Sequence, residues 1–214
     1  MGEKIAEAAL AGRADLVAMA TRRESTLARG IIGSATSRVL QINRVPTLVV
    51  RVDEKRPAPG GDAWPQTIIV PLDVSPLSET AVDPAIALAK ATGTKLRFLR
   101  VTPRVYYPGL GGGIEYAGSS IFFGPELRAE ASQYLAPFVD RAVSAGVDAF
   151  ADVRSGGAAN GIIEALHSSP DSMAMMTTHG RGGVQRWALG SVTDKVIRSS
   201  AEPVLVLPPP PGAE

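Results

Sequence analysis

A partial internal repeat constrains the fold of this 214-residue chain more than any other feature of its sequence. When residues 14–50 are aligned without gaps on residues 171–207, an offset of 157, ten of the 37 positions are identical. Unrelated sequences of this composition would share about two. A Gly-Ser pair at 33–34 recurs at 190–191. Gapless agreement across strand, loop, helix and strand favours duplication over the similarity that any two αβαβ segments share.

The two copies differ in length. The second starts near Gln66, whereas residues 1–52 correspond only to its last helix–strand–helix–strand. Residues 53–65 are charged and then rich in Pro and Gly, which predicts a linker. Residues 66–207 are predicted to form a complete domain, and the proline-rich residues 208–214 a disordered tail.

Short apolar runs alternate with amphipathic segments in the second copy, which predicts an open, doubly wound parallel α/β sheet with right-handed crossovers. The predicted strands are 66–72, 95–102, 148–154, 172–177 and 204–207, and the predicted helices 75–93, 126–145, 158–168 and 191–200. Ser75-Pro76 has the pattern of an N-cap followed by proline in the first turn. Pro84 is expected to kink the first helix or to delay its regular part.

The composition argues against several classes of site. The chain has no Cys, which excludes disulfides, thiolate nucleophiles and zinc sites of the Cys type. Its two His residues argue against a multi-histidine metal site. A net charge of +1 without a basic stripe gives no electrostatic case for nucleic acid. The absence of a signal peptide or of a long apolar run predicts a cytoplasmic protein without a membrane anchor.

A glycine-rich segment after the fourth predicted strand is the most informative for chemistry. Its glycines, among them Gly180 and Gly183, let the backbone curl with its amides on the inside. Ser191-Val192-Thr193-Asp194 has the spacing of a capping box, which predicts the start of the last helix. These amides, with the hydroxyls of Ser191 and Thr193, are a candidate cradle for phosphate oxygens. The same residues could instead serve only as a turn and a helix cap.

Asp73 directly follows the first predicted strand of the complete copy. In doubly wound sheets ligands bind beyond the carboxyl ends of the strands, where the strand order reverses. A carboxylate there suits ribose hydroxyls or a metal ion that bridges phosphates, although a lone Asp in this position is more often a turn or cap residue. His179 could contact a phosphate or simply face solvent.

These residues carry a resemblance to a known family. Residues 66–207 resemble the universal stress protein family along their whole length, and residues 1–52 resemble the end of a second, truncated domain of that family. The resemblance rests on VPLDVS at 70–75, RV at 100–101 and MTTHGRGGVQRWALGSVTDKV at 176–196. The last run is similar to the family's ATP-binding pattern Gly-x2-Gly-x9-Gly-[Ser/Thr], with Thr177 in place of the first glycine.

The resemblance implies a five-stranded parallel sheet in the order 3-2-1-4-5, of the adenine nucleotide α-hydrolase-like type, that binds ATP with Mg²⁺ at its carboxyl edge. It implies neither catalytic residues nor a resident metal, and at most slow ATP hydrolysis. The predicted nucleotide-binding residues are Pro71, Leu72, Asp73, Val101, Met176, Thr177, His179, Gly180, Gly183, Gly190, Ser191, Val192 and Thr193.

Three functions are compatible with the sequence. The first is an ATP-binding stress-response protein that acts through nucleotide-dependent conformation or partner choice. The second is an interaction module of the same fold without nucleotide, for which Thr177 is the argument. The third is an adenylyl-transferring or electron-transfer relative, which would need a substrate pocket under residues 103–125, lined by Tyr106, Tyr107 and Tyr116.

The apolar edge strands predict how units assemble. Residues 47–50 are expected to pair antiparallel with residues 204–207, within one chain as a pseudo-dimer or between two chains as a homodimer. The strand at 16–20 lacks the neighbour that its counterpart has in the complete copy. Its edge is therefore expected to be covered by another chain or to promote aggregation.

Overall fold

A computed structural model of the chain describes residues 1–22, 32–42, 44–52, 64–103, 124–178 and 189–210. Its strands are β1 (Val17–Arg22), β2 (Thr47–Val52), β3 (Thr67–Pro71), β4 (Lys95–Thr102), β5 (Ala149–Ser155), β6 (Ser172–Thr177) and β7 (Val204–Leu207). Its helices are α1 (Gly2–Ala11), α2 (Ser34–Ile42), α3 (Pro76–Glu79), α4 (Val82–Thr92), α5 (Gly124–Ser144), α6 (Ala158–His167) and α7 (Ser191–Ser199). No helix within these ranges is long and apolar enough to cross a membrane.

The strands form one sheet of seven, in the order β1-β2-β7-β6-β3-β4-β5. Within the second copy the order is β5-β4-β3-β6-β7, and all of these neighbours are parallel. Numbered within that copy, this is the order 3-2-1-4-5, so the predicted fold class is confirmed. The chain proceeds from β3 outward to β5 and then returns to β6 on the other side of β3, which makes the β3–β6 boundary the point where the strand order reverses.

The first copy extends the same sheet. β2 pairs antiparallel with β7, with Leu48 opposite Leu205 and Thr47 opposite Val206. Leu205 is the counterpart of Leu48 at the offset of 157, so the local two-fold axis of the duplication passes through this pair. The predicted antiparallel pairing is therefore present within one chain. This pairing places both strands in the interior of the sheet of one chain.

The start of the complete copy folds as its sequence predicts. Ser75 is the N-cap of α3 and its hydroxyl oxygen accepts a hydrogen bond from Ser78 N at 3.1 Å, with Pro76 in the first turn. The single predicted helix is divided into α3 and α4, and Pro84 lies in the first turn of α4. Gly93 ends α4 in the left-handed conformation, with a φ of 70° that glycine adopts without strain.

Two apolar layers cover the faces of the sheet. Ile68 and Val70 of β3 pack with Phe98 on the side of α4 and α5, whereas Ile69 packs on the opposite side with residues of α6 and α7. α1 and α2 continue the second layer over β1 and β2. Burial on both faces explains why β3, β6 and β7 are short continuous apolar runs rather than alternating ones.

A close approach of α6 to β4 generates the first prediction. A Cβ added at Gly161 would lie 2.8 Å from Cγ2 and 2.9 Å from Cγ1 of Val101. Overpacking of this kind costs about 1–3 kcal/mol, more than the roughly 1 kcal/mol that Ala gains over Gly in a helix. We therefore expect Gly161→Ala to lower the free energy of unfolding in urea. The loss should shrink when Val101→Ala is combined with it, and additive losses would contradict this account.

Candidate functional site

A crevice opens where the strand order reverses. The hydrogen-bonded register of β3 and β6 ends at Ile69 opposite Ala174, although the strands continue to Pro71 and Thr177. The two strands therefore separate over their last residues, at the carboxyl edge where ligands bind in sheets of this type. The Asp73 turn follows the end of β3 and the start of α7 follows the end of β6, and we call these two segments the lips of the crevice.

The Asp73 turn is held by a compact set of hydrogen bonds. Asp73 Oδ1 accepts from Ser75 N at 3.0 Å and from Ser75 Oγ at 2.5 Å. Between them Val74 has a φ of 71°, a left-handed conformation that is strained for a β-branched residue. Ser78 Oγ lies 3.3 Å from Asp73 N. Asp73 therefore is a turn residue, and the same turn fixes its carboxylate at the end of β3.

Tyr134 of α5 supports this turn from the other side. Its hydroxyl donates to Glu79 Oε1 at 2.8 Å. Burial, and then the neighbouring Glu79 carboxylate, raise the pKa of Tyr134 well above its usual range, while a backbone hydrogen bond from Val74 and the charge of Arg100 act in the opposite direction. The phenol thus stays protonated at every physiological pH. Arg100 also donates to Leu72 O at 3.4 Å.

The opposite lip is built by α7. Gly190 N donates to Thr178 O at 2.7 Å and Thr193 Oγ1 donates to Thr177 O at 2.9 Å, which ties the first turn of α7 to the end of β6. The first intrahelical hydrogen bond runs from Asp194 N to Gly190 O, so the N–H groups of 191–193 have no partner inside the helix. They carry the positive end of the helix dipole.

The predicted capping box is wrong. Gly190 is the N-cap and Ser191 is already the first helical residue, with no side-chain cap. The predicted start of the helix at Ser191 is confirmed, but the residue that precedes it, Gly190, is the N-cap, so Ser191 and Asp194 form no box. The Thr193 hydroxyl, predicted to face phosphate, is buried and donates to Thr177 O, so it positions the helix instead.

Thr177, the departure from the family pattern, is compatible with this geometry. It is the last residue of β6, it is opposite Leu207 in the register, and it is 5% exposed. It is absent from the residues with positive φ among those that the structure describes. A β-branched residue suits an extended backbone of this kind, so the substitution of Thr for Gly imposes no conformational strain here.

The other predicted residues fall into three groups. Pro71 and Gly190 lie at the crevice, with Ser191 exposed and Val192 partly buried at the helix start. Leu72, Met176 and Val101 contribute side chains to the apolar clusters, Val101 next to α6. His179, Gly180 and Gly183 lie outside the described residues, as do Tyr106, Tyr107 and Tyr116.

Sequence reasoning missed Tyr134, Glu79 and Arg100. Tyr134 follows the apolar spacing of α5 and therefore reads as a core residue, since only the folded chain brings it to Glu79, 55 residues away. Within the described ranges, no group of three or more His, Asp or Glu residues could hold a metal ion.

The Asp73 turn yields a second prediction. Asp73→Ala removes the acceptor of Ser75 N and of Ser75 Oγ and leaves the strained Val74 without support, so it should cost about 1–3 kcal/mol of unfolding free energy. Asp73→Asn keeps the Oδ1 acceptor and should cost clearly less. Chemical denaturation of both variants checks this difference, and equal losses would show that the turn does not depend on Oδ1.

The tie between β6 and α7 yields a third prediction. Thr193→Val preserves the shape of the side chain but removes the hydrogen bond that its hydroxyl donates to Thr177 O, at an expected cost of about 0.5–1.5 kcal/mol. Thr193→Ser keeps the hydroxyl and is the matched control. Hydrogen exchange of the bonded amides Gly190 N and Asp194 N should accelerate in the Val variant only; unchanged exchange would contradict the positioning role.

The sequence is similar to that of known proteins. A sequence profile of the universal stress protein family matches residues 1–51 and 65–208. The chain is 29% identical over 150 residues to a universal stress protein of Methanocaldococcus jannaschii, covering 70% of this chain and 86% of that protein. It is 25% identical over 200 residues to one of Mycobacterium tuberculosis, covering 92% of this chain and 63% of that longer protein.

A solved structure shows the same fold. The crystal structure of a universal stress protein from Archaeoglobus fulgidus superposes with a TM-score of 0.64 at 22% identity, covering 97% of this chain and 66% of the other. The profile match extends over both copies and leaves out the segment between them. The chain, with its 3-2-1-4-5 sheet and its partial first copy, belongs to the universal stress protein family.

Proposed function

We propose that this chain is an ATP-binding stress-response protein, with ATP and its Mg²⁺ in the crevice between the ends of β3 and β6. The proposal depends chiefly on one observation: the N–H groups of residues 191–193 lie at the start of α7, outside its hydrogen-bond ladder, beside strands that have separated. A helix start of this kind binds phosphate oxygens through oriented amides and a positive dipole.

The opposite lip supplies a complementary group. Asp73 carries an acceptor carboxylate, which can bind ribose hydroxyls or the phosphate-bound Mg²⁺. Its turn is already ordered by hydrogen bonds to Ser75, so little conformational entropy would be lost when a ligand binds. Mg²⁺ would neutralise phosphate charge next to Asp73, and the carboxylate would orient it.

The role that we propose is binding rather than turnover. The carboxylates at the described lips of the crevice are those of Asp73, which holds its turn, and Asp194, which pairs with Arg198. The arrangement supports at most slow hydrolysis. Occupancy would link the Asp73 turn, and through Tyr134 the helix α5, to the start of α7. A change of conformation or of partner in the cytoplasm would follow from that link.

The second candidate is an interaction module of the same fold that binds no nucleotide. The argument for it was the Thr177 substitution. Thr177 is extended and buried in β6, and this conformation weakens the argument for the interaction module. The ordered Asp73 turn favours nucleotide binding. The test must still separate the two.

The duplication offers a matched pair of variants as the fourth prediction. Ser191 and Ser34 are exposed first residues of α7 and α2 at the same place in the repeat. A carboxylate at either position interacts favourably with the helix dipole and typically stabilises the folded chain by about 0.3–1 kcal/mol. Ser191→Glu should also repel the triphosphate, whereas Ser34→Glu lies in a copy for which no complete site is predicted.

The measurement is thermal unfolding with and without ATP·Mg²⁺. ATP at 100 times its Kd should add about 2.7 kcal/mol of stability to the wild type. We expect the same gain in Ser34→Glu and none in Ser191→Glu, although both variants fold. Mass spectrometry of nucleotide released on denaturation identifies a co-purified ligand. No shift and no released nucleotide in the wild type would favour the interaction module.

A further inference from the structure

We propose that Tyr134 is a positioning residue of the nucleotide site, because it holds Val74 in a left-handed conformation and thereby keeps the Asp73 carboxylate in place at the end of β3. The inference rests on the proposed function, in which Asp73 binds the ribose or the Mg²⁺ of ATP. It adds that the affinity for ATP depends on one hydroxyl group of α5. Tyr134 acts through the turn, and not through contact with the ligand.

Val74 has a backbone conformation that its side chain disfavours. Its φ of 71° lies in the left-handed region, where Cβ crowds the backbone carbonyl oxygen, most of all in a β-branched residue. Arg13 and Asp171 are the other non-glycine residues with positive φ in the described ranges, and neither is β-branched. The Val74 side chain is 44% exposed, so its own packing does not compensate for the strain. Strain of this kind persists only where surrounding contacts impose it, and it is concentrated at binding sites.

Tyr134 contacts the backbone of Val74 itself. The phenol donates its proton to Glu79 Oε1 at 2.8 Å, so its oxygen acts as the acceptor for the N–H of Val74. The hydrogen bonds on Asp73 Oδ1 hold the residues on either side, Asp73 and Ser75. Glu79 is the last residue of α3, the helix that follows the turn. One hydroxyl group therefore joins the strained residue to the helix behind it.

Aromatic contacts fix Tyr134 to the core of the complete copy. Its ring packs edge-to-face on Phe138, also in α5, with the ring centroids 5.4 Å apart. Phe138 in turn packs on the fully buried Phe98 of β4, at a centroid distance of 6.1 Å. The hydroxyl is thus held relative to the sheet by a ring that phenylalanine would reproduce. Tyr134→Phe therefore removes the contact to Val74 and leaves the aromatic packing in place.

Loss of this hydroxyl should weaken ATP binding although no group that contacts the ligand is changed. Without it, Val74 can relax to a right-handed or extended backbone, and the Asp73 carboxylate then leaves its ordered position. The measured Kd equals the intrinsic Kd divided by the fraction of molecules in the binding-competent conformation. If the turn stays left-handed in about a tenth of the molecules, the Kd for ATP rises about tenfold.

Isothermal titration calorimetry of the full chain with ATP·Mg²⁺ measures this effect. We expect Tyr134→Phe to raise the Kd about tenfold. Glycine adopts a φ of 71° without strain, so in a Val74→Gly background the same change should raise the Kd about twofold or less. Glu79→Gln retains an acceptor for the phenol and is the matched control, with the affinity of the wild type.

The glycine background distinguishes positioning from a merely structural role, because a structural role of Tyr134 would not depend on residue 74. Equal losses of affinity in the valine and glycine backgrounds would therefore overturn the proposal. An unchanged Kd in Tyr134→Phe would also overturn it, and so would a tenfold loss in Glu79→Gln, which would assign the effect to the carboxylate charge. If Tyr134→Phe alone does not fold, the comparison of Val74→Gly with and without Tyr134→Phe still tests the predicted rescue.

A ligand-free measurement separates this proposal from the proposed function. Backbone chemical shifts and the HN–Hα coupling of residue 74 report its φ in solution by NMR. They should indicate a left-handed Val74 in the wild type and in Glu79→Gln, and a relaxed one in Tyr134→Phe. ATP binding by the wild type, together with an unrelaxed Val74 in Tyr134→Phe, would overturn the role of Tyr134 and leave the proposed function in place. A relaxed Val74 in Tyr134→Phe, together with a wild type that binds no ATP, would overturn both.

Discussion

The complete burial of β6 is the constraint on which the rest of the structure depends. β6 is the middle strand of seven, it is covered on both faces, and its neighbours β3 and β7 run parallel to it. Because the strand order reverses beside it, its end separates from β3 and forms a crevice. The carbonyls of Thr177 and Thr178 then hold the first turn of α7 over that crevice. One apolar strand thus sets both the sheet and the candidate site.

The duplication shows how one sequence pattern acquires two roles. Thr36 and Thr193 occupy the same place in the repeat and both are buried, so this threonine belongs to the framework of each copy. The strands beside them differ in their surroundings. β6 has two neighbours, while β1 has only β2 among the described strands. The same strand pattern therefore has different surroundings in the two copies among the described residues.

Errors in the sequence-based site have a common physical origin. A capping box is defined by spacing, but the start of α7 is fixed by a hydrogen bond from Gly190 to Thr178, across the segment that carries the glycines. Thr193 was expected to face phosphate because hydroxyls do so at many helix starts, yet the nearest acceptor is the buried carbonyl of Thr177. Tyr134 stands at the spacing of the apolar face of α5, which predicts a core residue. Spacing records periodicity along the chain and contains no information about which acceptor lies nearby in space.

The sequence by itself determined the class of fold, the order of helices and strands, the strand order through the resemblance, and the pairing of residues 47–50 with 204–207. These follow from apolar periodicity, from the turn chemistry of residues such as Ser75 and Gly93, and from the internal repeat. All three are read from neighbouring residues or from a comparison of the sequence with itself. Only the tertiary structure decided where β3 and β6 separate, that Val74 is left-handed, that Tyr134 supports the Asp73 turn, and that Thr193 holds α7. Each of these depends on contacts between residues distant in sequence, whose geometry is set by packing rather than by any pattern along the chain.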